Sequence, residues 1–232
     1  IKLRGQSLYA SMYLNEILQK LLPVEEPFAE IWQAYQQCLA NMATLFVDPA
    51  QSPHDMTRLK WYLRRFENVL FEQLGYGFDF AKDALGDLIA PSQRYQYQLQ
   101  QGFMPVLPLD KPDISLTGEQ LLTWYQCLQD EASFNQMMQQ DFDLAKQLVN
   151  SISAMHRHLM DNLLNYQTLQ SRELWQQLGV VDLLVALEAE QHHVLKARGE
   201  LVGQPFLPPG APFRLGDDVG ALGQVQGIPR GR

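Results

Sequence analysis

The sequence lacks most of the features that mark an enzyme, a membrane protein or a disulfide-stabilised protein. No apolar run approaches the roughly 18–20 residues that a membrane-spanning helix needs. Neither a glycine-rich phosphate loop nor a His-Glu-x-x-His motif is present. The two cysteines, Cys38 and Cys127, lie in helical apolar patterns, so we expect buried free thiols in a reducing compartment. These absences predict a protein that is neither an enzyme nor an integral membrane protein.

Positive charge is also scarce. Eighteen Lys and Arg residues stand against 26 Asp and Glu, which gives a net charge of −8. The chain as a whole should be repelled by nucleic acid, so any DNA contact must be local or lie outside this chain. His156 and His158 are two positions apart, about 200° around a helix, and cannot both face one metal ion. The chain opens at Ile1, without an initiator methionine or a leader, which favours a fragment of a longer protein.

Apolar residues at helical spacing predict a mainly α, bundle-like domain over residues 1–178. The third helix is expected to begin with Ser52 as its N-cap and Pro53 at its first position, and to end at Gly75 and Gly77. The predicted helices cover residues 7–22, the segment from Pro27 to Asp48, residues 53–75, residues 117–127, a long helix over 134–165, and a short one from Ser171 to about Leu178.

A small β-containing insertion is expected at about residues 78–116, where prolines interrupt the helical pattern. Alternating residues from Tyr95 to Leu99 predict a strand that pairs with the segment from Phe103 to Val106. Tyr95 and Tyr97 then share one side of the hairpin. They either pack on the helices, which we favour, or form a stacking platform for single-stranded nucleic acid.

The chain changes character after Gly179. Residues 180–198 could form one more helix, whereas residues 203–232 are rich in Gly and Pro and offer little to bury. We expect that last stretch to be poorly ordered.

The third helix has the pattern most indicative of binding. Leu59, Leu63, Phe66 and Leu70 form its apolar stripe. The remaining arc carries four cations around an aromatic residue, namely Arg58, Lys60, Arg64, Arg65 and Trp61. An outward Trp among cations suits a ligand that offers carboxylates and an apolar anchor, as an acidic peptide does. The alternative is an ordinary solvated polar face.

Short motifs in a consistent order make residues 1–178 similar to the RecO family of bacterial recombination mediators. The landmarks are Gly5-Gln6-Ser7-Leu8-Tyr9, Tyr13 with Asn15-Glu16, Leu63-Arg64-Arg65-Phe66-Glu67, Leu74-Gly75-Tyr76-Gly77, Tyr95, Gly102-Phe103, Thr117-Gly118, and Leu169 with Ser171-Arg172-Glu173-Leu174. The resemblance is to the helical C-terminal part of such proteins, not to their N-terminal OB-fold.

The resemblance implies a cytoplasmic, nucleoid-associated DNA-repair protein of the RecF-pathway type. Such proteins anneal single strands and, with RecR, help load RecA onto DNA coated by single-stranded DNA-binding protein. In some members the helical domain captures the acidic C-terminal tail of that protein. Carried over to this chain, the resemblance assigns Arg64 to the tail carboxylates, with Arg65 and Lys60 in support. Leu8 and Tyr13 are weaker candidates for the walls of its apolar pocket.

Three departures limit what the resemblance implies. The OB-fold, which carries the family's main surface for single-stranded DNA, is not matched. The insertion between Phe78 and Val106 has no cysteine, so the zinc of some members is not expected and the insertion must be held by packing of Tyr95, Tyr97 and Phe103. Gln170 replaces the family's usual lysine, and nothing after Gly179 matches.

The sequence is compatible with two alternatives to tail capture. One is direct DNA binding by a surface that includes Arg58, Trp61, Tyr95 and Tyr97. The other is a purely structural helical domain without a ligand.

Overall fold

A computed structural model describes residues 1–23, 27–107, 109–110, 112, 114–175 and 177. The expected extra helix and poorly ordered tail after Gly179 lie outside the described residues, which all belong to the first of two units, Ile1–Val181. The helices are α1 (Gln6–Leu21), α2 (Ala29–Met42), α3 (Ser52–Gln73), α4 (Gly118–Gln129), α5 (Glu131–Gln140) and α6 (Phe142–Leu163). The strands are β1 (Arg94–Gln98), β2 (Gly102–Pro105) and β3 (Leu116–Thr117). The expected mainly α fold with a small β insertion is confirmed.

Helix α3 is the centre of the domain, since α2 packs on one side of it and α6 on another. Its predicted apolar stripe is buried: Leu59, Leu63, Phe66 and Leu70 are all at most 7% exposed. The helix ends in a Schellman turn, in which Gly75 has φ +84° and the N–H of Tyr76 donates to the carbonyl of Phe71. Ser52 as N-cap is wrong by one position. A 3₁₀ turn at Pro49–Gln51 runs directly into the helix and makes Gln51 the preceding residue.

The predicted hairpin in the insertion is confirmed, with β1 antiparallel to β2 and Tyr97 opposite Phe103. A third strand, β3, was not predicted; it is two residues long and pairs with the other edge of β1. The same residues cap α4, where Thr117 and Gln120 form a reciprocal capping box. Gly118 follows immediately, and a Cβ there would lie 2.0 Å from the carbonyl oxygen of Ala90. Only glycine allows the insertion to lie this close to α4.

The single long helix expected over residues 134–165 is wrong, because the chain breaks at Asp141 into α5 and α6. Asp141 has φ −148° and ψ 85°, and its carboxylate accepts a hydrogen bond from the backbone N–H of Leu144. Aspartate at this position stabilises a new helix start more than it favours a helix interior. Leu144 therefore lies in the first turn of α6 and is 51% exposed.

Two apolar clusters form the core. The first joins α1, α2 and the apolar stripe of α3 to the end of α6, and the second joins Trp61 of α3 to the insertion, α4, α5 and the earlier turns of α6. No described helix is long and apolar enough to span a membrane.

Candidate functional site

The prediction that Trp61 faces outward is wrong. Its side chain is fully buried, stacked on Phe134 with ring centroids 4.2 Å apart and edge-on to Trp124 at 4.7 Å. Helices α4 and α5 cover this side of α3, which the periodicity of α3 alone could not reveal. Trp61 is therefore a core residue and has no surface to offer to DNA or to a peptide.

Tyr95 and Tyr97 of the insertion pack against other residues of the domain, as the favoured alternative predicted. Tyr95 is 2% exposed and its hydroxyl accepts a hydrogen bond from the backbone N–H of Ala90 at 2.9 Å. Tyr97 is half-buried against Phe78 and Phe103. The stacking platform is wrong for Tyr95, because its ring faces the interior of the insertion.

The basic face predicted on α3 is divided between two neighbouring helices. Arg58 donates to Oδ1 of Asn135 at 2.6 Å, and Arg65 pairs with Glu131 while lying 5.7 Å from the ring centroid of Trp61. Both partners belong to α5. Lys60 instead faces α6, and Arg64 pairs with Glu67 of its own helix, so the five predicted residues do not form one continuous surface.

Lys60 and Arg64 lie along a seam between two parallel helices. The pairs His54–Phe142 and Lys60–Asn150 advance along α3 and α6 in the same direction. Nζ of Lys60 donates to Oδ1 of Asn150 at 2.8 Å.

Helix α6 contributes two further cations to this surface. Lys146 is one turn before Asn150 and Arg157 two turns after it, both exposed and on the same side of the helix. We call Lys60, Arg64, Lys146 and Arg157 the basic seam. Burial and the three neighbouring cations lower the pKa of Lys60, which indicates that positive charge is concentrated here. Sequence reasoning missed Lys146 and Arg157, because only the packing of α6 on α3 brings them to Lys60.

A buried carboxylate, Glu67, lies behind the seam. Its Oε1 accepts from the guanidinium of Arg64 at 2.7 Å and from the hydroxyl of Tyr13 at 2.6 Å, and its Oε2 lies 2.9 Å from Nδ1 of His156. The side chains of Glu67 and His156 are fully buried, whereas that of Arg64 keeps 11% of its surface exposed. Glu67 therefore connects α1, α3 and α6 immediately beneath the seam.

The charge states in this network follow from the balance between burial and hydrogen bonding. Burial alone would raise the pKa of Glu67, but Arg64, His156 and Tyr13 outweigh it and hold that pKa below its ordinary value. Burial lowers the pKa of His156. Neutral His156 then donates from Nδ1–H to Glu67, which agrees with the absence of a donor or acceptor at its buried Nε2 among the described residues.

We expect acid to destabilise the domain in two steps. The folded-state pKa of His156 lies below its ordinary 6.5, so its contribution is complete above pH 6.5 and is lost as the pH falls below it. The contribution of Glu67 is complete above pH 4.5 and is lost below it. Urea unfolding between pH 8 and pH 5 should show the first step, with a slope of up to about 1.4 kcal/mol per pH unit.

The matched variants for this measurement are His156→Asn and His158→Asn. Asparagine can place an amide N–H where Nδ1 of His156 stands and does not titrate, so His156→Asn should flatten the slope. His158 is exposed on the same helix, so its replacement removes an imidazole that lies outside the Glu67 network and serves as the control. An unchanged slope in His156→Asn would contradict the assignment.

The two residues predicted as pocket walls lie apart. Tyr13 is buried and bonded to Glu67, beneath Arg64. Leu8 is 46% exposed and lies five positions earlier on α1, about 140° around the helix. Tyr13 thus shares Glu67 Oε1 with Arg64, whereas Leu8 lies on a different side of α1.

Several landmark residues of the sequence also meet beside Glu16 of α1. Glu16 accepts hydrogen bonds from the backbone N–H groups of Gln170 and Ser171, each at 2.9 Å, and from the Ser171 hydroxyl at 2.7 Å. Glu16, rather than Ser171 itself, therefore caps the helical segment that begins at residue 170. Arg172 pairs with Asp161 and lies 5.9 Å from the ring centroid of Tyr13. These contacts join α1 and α6 to the helical segment that begins at residue 170.

The cysteines are buried free thiols, as expected. Burial raises the pKa of Cys38 to about 12 and that of Cys127 to about 11, so both are protonated at neutral pH. Within the described residues no three His, Cys, Asp or Glu side chains form a group that could hold a metal ion.

Three relatives found by comparison with curated proteins are each named DNA repair protein RecO. No family model matches the chain. The chain is 32% identical over 173 residues to DNA repair protein RecO of Pseudoalteromonas translucida, which covers 75% of this chain and 63% of that protein. It is also 32% identical over 176 residues to DNA repair protein RecO of Psychromonas ingrahamii, covering 75% and 65% respectively. In Aliivibrio fischeri, DNA repair protein RecO is 34% identical over 123 residues, or 53% of this chain and 47% of that protein.

The chain thus spans somewhat less than two thirds of the length of the relatives that it matches. The two longer matches, of 173 and 176 residues, each cover about three quarters of this chain. These relatives, 32–34% identical and matched over up to 75% of this chain, support the identification of the chain as a RecO-type DNA repair protein.

Proposed function

We propose that this chain is the protein-binding helical domain of a DNA repair and recombination mediator, and that its basic seam captures an acidic C-terminal tail of single-stranded DNA-binding protein. The observation that carries the proposal is a cluster of four cations on a protein whose net charge is −8. By resemblance, tail capture would bring the mediator to coated single strands and raise its effective concentration there. It would thereby assist strand annealing and RecA loading.

The dimensions of the seam fit a short extended peptide. Lys146 and Arg157 are 11 positions apart on α6, or about 16 Å at 1.5 Å per residue. An extended peptide covers that distance with about five residues at 3.3 Å each. A row of carboxylates followed by an apolar terminal residue could thus meet all four cations, while the acidic remainder of the chain disfavours a long nucleic acid.

Contacts with RecR and single-stranded DNA belong to the proposal at the level of the whole protein. They are inferred from the resemblance to the family, and we assign no residue of the described domain to either contact. By resemblance, the OB-fold supplies most of the contact with single-stranded DNA, so we expect this domain alone to bind DNA weakly.

Arg64→Ala should weaken capture of an acidic peptide by roughly 5–150-fold, equivalent to about 1–3 kcal/mol for a hydrogen bond to a charged group. Lys146→Ala and Arg157→Ala should each weaken it less, because both side chains are exposed. The measurement is a fluorescence-anisotropy titration with a labelled acidic peptide ending in Asp-Phe-type residues, and with a scrambled peptide. The matched control is Arg58→Ala, an arginine of the same helix that faces α5. Equal affinity of Arg64→Ala and the parent would refute the assignment.

The direct DNA-binding alternative is tested with a labelled single-stranded oligonucleotide in the same assay. Binding that tracks phosphates falls steeply between 50 and 200 mM salt, in proportion to the number of phosphates contacted. Peptide capture with an apolar anchor should retain more of its affinity. Oligonucleotide binding without peptide binding would move the function to DNA contact, and binding of neither would leave a structural domain.

A further inference from the structure

We infer that Glu67 is a positioning residue for the acidic-peptide site, and that Tyr13 and His156 hold it in place so that its carboxylate fixes the guanidinium of Arg64 at the seam. This inference rests on the proposed function. It adds three residues from three helices, none of which is expected to touch the ligand.

The carboxylate of Glu67 is the shared hydrogen-bond partner of Arg64, Tyr13 and His156. Oε1 accepts from both Arg64 and Tyr13, and Oε2 faces Nδ1 of His156. Glu67 follows Arg64 by three positions, so the two lie on one face of α3. Because each carboxylate oxygen has a partner from a different helix, Glu67 cannot rotate without breaking a bond to α1 or α6.

An arginine needs such a partner if it is to present its charge in one orientation. Its side chain has several rotatable bonds, and immobilising a side chain of this kind on binding costs roughly 0.5–1.5 kcal/mol. In this structure the side chain of Arg64 is already held, with only 11% of its surface exposed. A ligand that meets Arg64 therefore meets a guanidinium that is ordered before binding.

Charge alone predicts the opposite role for Glu67. A carboxylate 2.7 Å from Arg64 opposes the positive potential of the seam and would repel an acidic ligand. On that view, neutralising Glu67 should tighten binding. On the positioning view, it should weaken binding although the seam becomes more positive.

The decisive variant is Glu67→Gln, which keeps the size of the side chain and removes its charge. We expect it to weaken binding of the acidic peptide by about 3–10-fold, the cost of ordering one flexible side chain. Glu131→Gln is the matched control, since Glu131 pairs with Arg65 on the same helix but faces α5. It should leave the affinity unchanged or tighten it slightly.

A second pair of measurements separates positioning from general damage to the fold. In an Arg64→Ala background, Glu67→Gln should have no further effect on affinity, because the residue that it positions is gone. Equal loss in both backgrounds would overturn the inference, and so would tighter binding by Glu67→Gln.

If Glu67→Gln melts below the assay temperature, Glu67→Asp is measured in its place. It keeps the charge but shortens the reach, so positioning predicts weaker binding and charge alone predicts no change. Absence of binding by the parent would instead count against the proposed function itself.

Discussion

Replacing Trp61 by alanine should lower the free energy of unfolding by about 3–5 kcal/mol, the range for a large aromatic residue removed from a core. Trp61 is fully buried and joins three helices, since it stacks on Phe134 of α5 and meets Trp124 of α4 edge-on. Its removal deletes two aromatic contacts and leaves a cavity that these rigid neighbours cannot fill. Urea unfolding monitored by far-ultraviolet circular dichroism measures the change.

Trp32→Ala is the natural control, because Trp32 is 58% exposed on α2 and stacks only on Tyr35 among the described aromatic rings. Its replacement should change stability by less than about 1 kcal/mol, somewhat above the range for plain surface substitutions because of that ring contact. Similar small effects for both tryptophans would mean that Trp61 lies at the surface. The burial of α3 by α4 and α5 would then be wrong.

Glu67→Ala should be similarly costly, at about 3–5 kcal/mol, although no apolar core residue is removed. Breaking a buried ion pair leaves the remaining charge without compensation. Here the loss would leave Arg64, Tyr13 and His156 without their shared acceptor. The expected result is a lower urea midpoint with an unchanged slope, because the same surface is exposed on unfolding.

The comparison for Glu67 is Glu131→Ala, which breaks the pair with Arg65. The Arg65 and Glu131 side chains are 33% and 37% exposed, so water screens their attraction and the cost should be about 0–1 kcal/mol. If the two glutamate variants were equally stable, the buried network would contribute no more than a surface pair.

The helices of this domain were largely predictable because each has a strong local pattern. Thr117 with Gln120, and Gly75 after α3, act through neighbours in sequence and so are visible without a structure. The break at Asp141 was missed because the apolar spacing continues across it, and aspartate competes with the helix only through one hydrogen bond to Leu144. Strand β3 was missed because two residues are too few to show an alternating pattern.

The candidate site was less predictable, since it depends on contacts between distant helices. The pattern of α3 correctly indicated Arg64 and Lys60 as non-core residues, but it could not tell which neighbour would cover each side. Trp61 was misplaced for this reason, and Lys146 and Arg157 were not found. Glu67 belonged to a recognised motif, yet its role emerged only when Tyr13 and His156 were located beside it.

The bonds between Glu16 and residues 170–171 join positions 154 and 155 apart in the sequence. During synthesis at about 5–20 residues per second, the ribosome needs roughly 8–30 s to make the intervening chain. For that interval Glu16 of α1 lacks the backbone N–H groups that it caps, even when α2 and α3 have already emerged. The first helix to be translated is therefore among the last to acquire all of its contacts, and contacts of such long range favour slow folding.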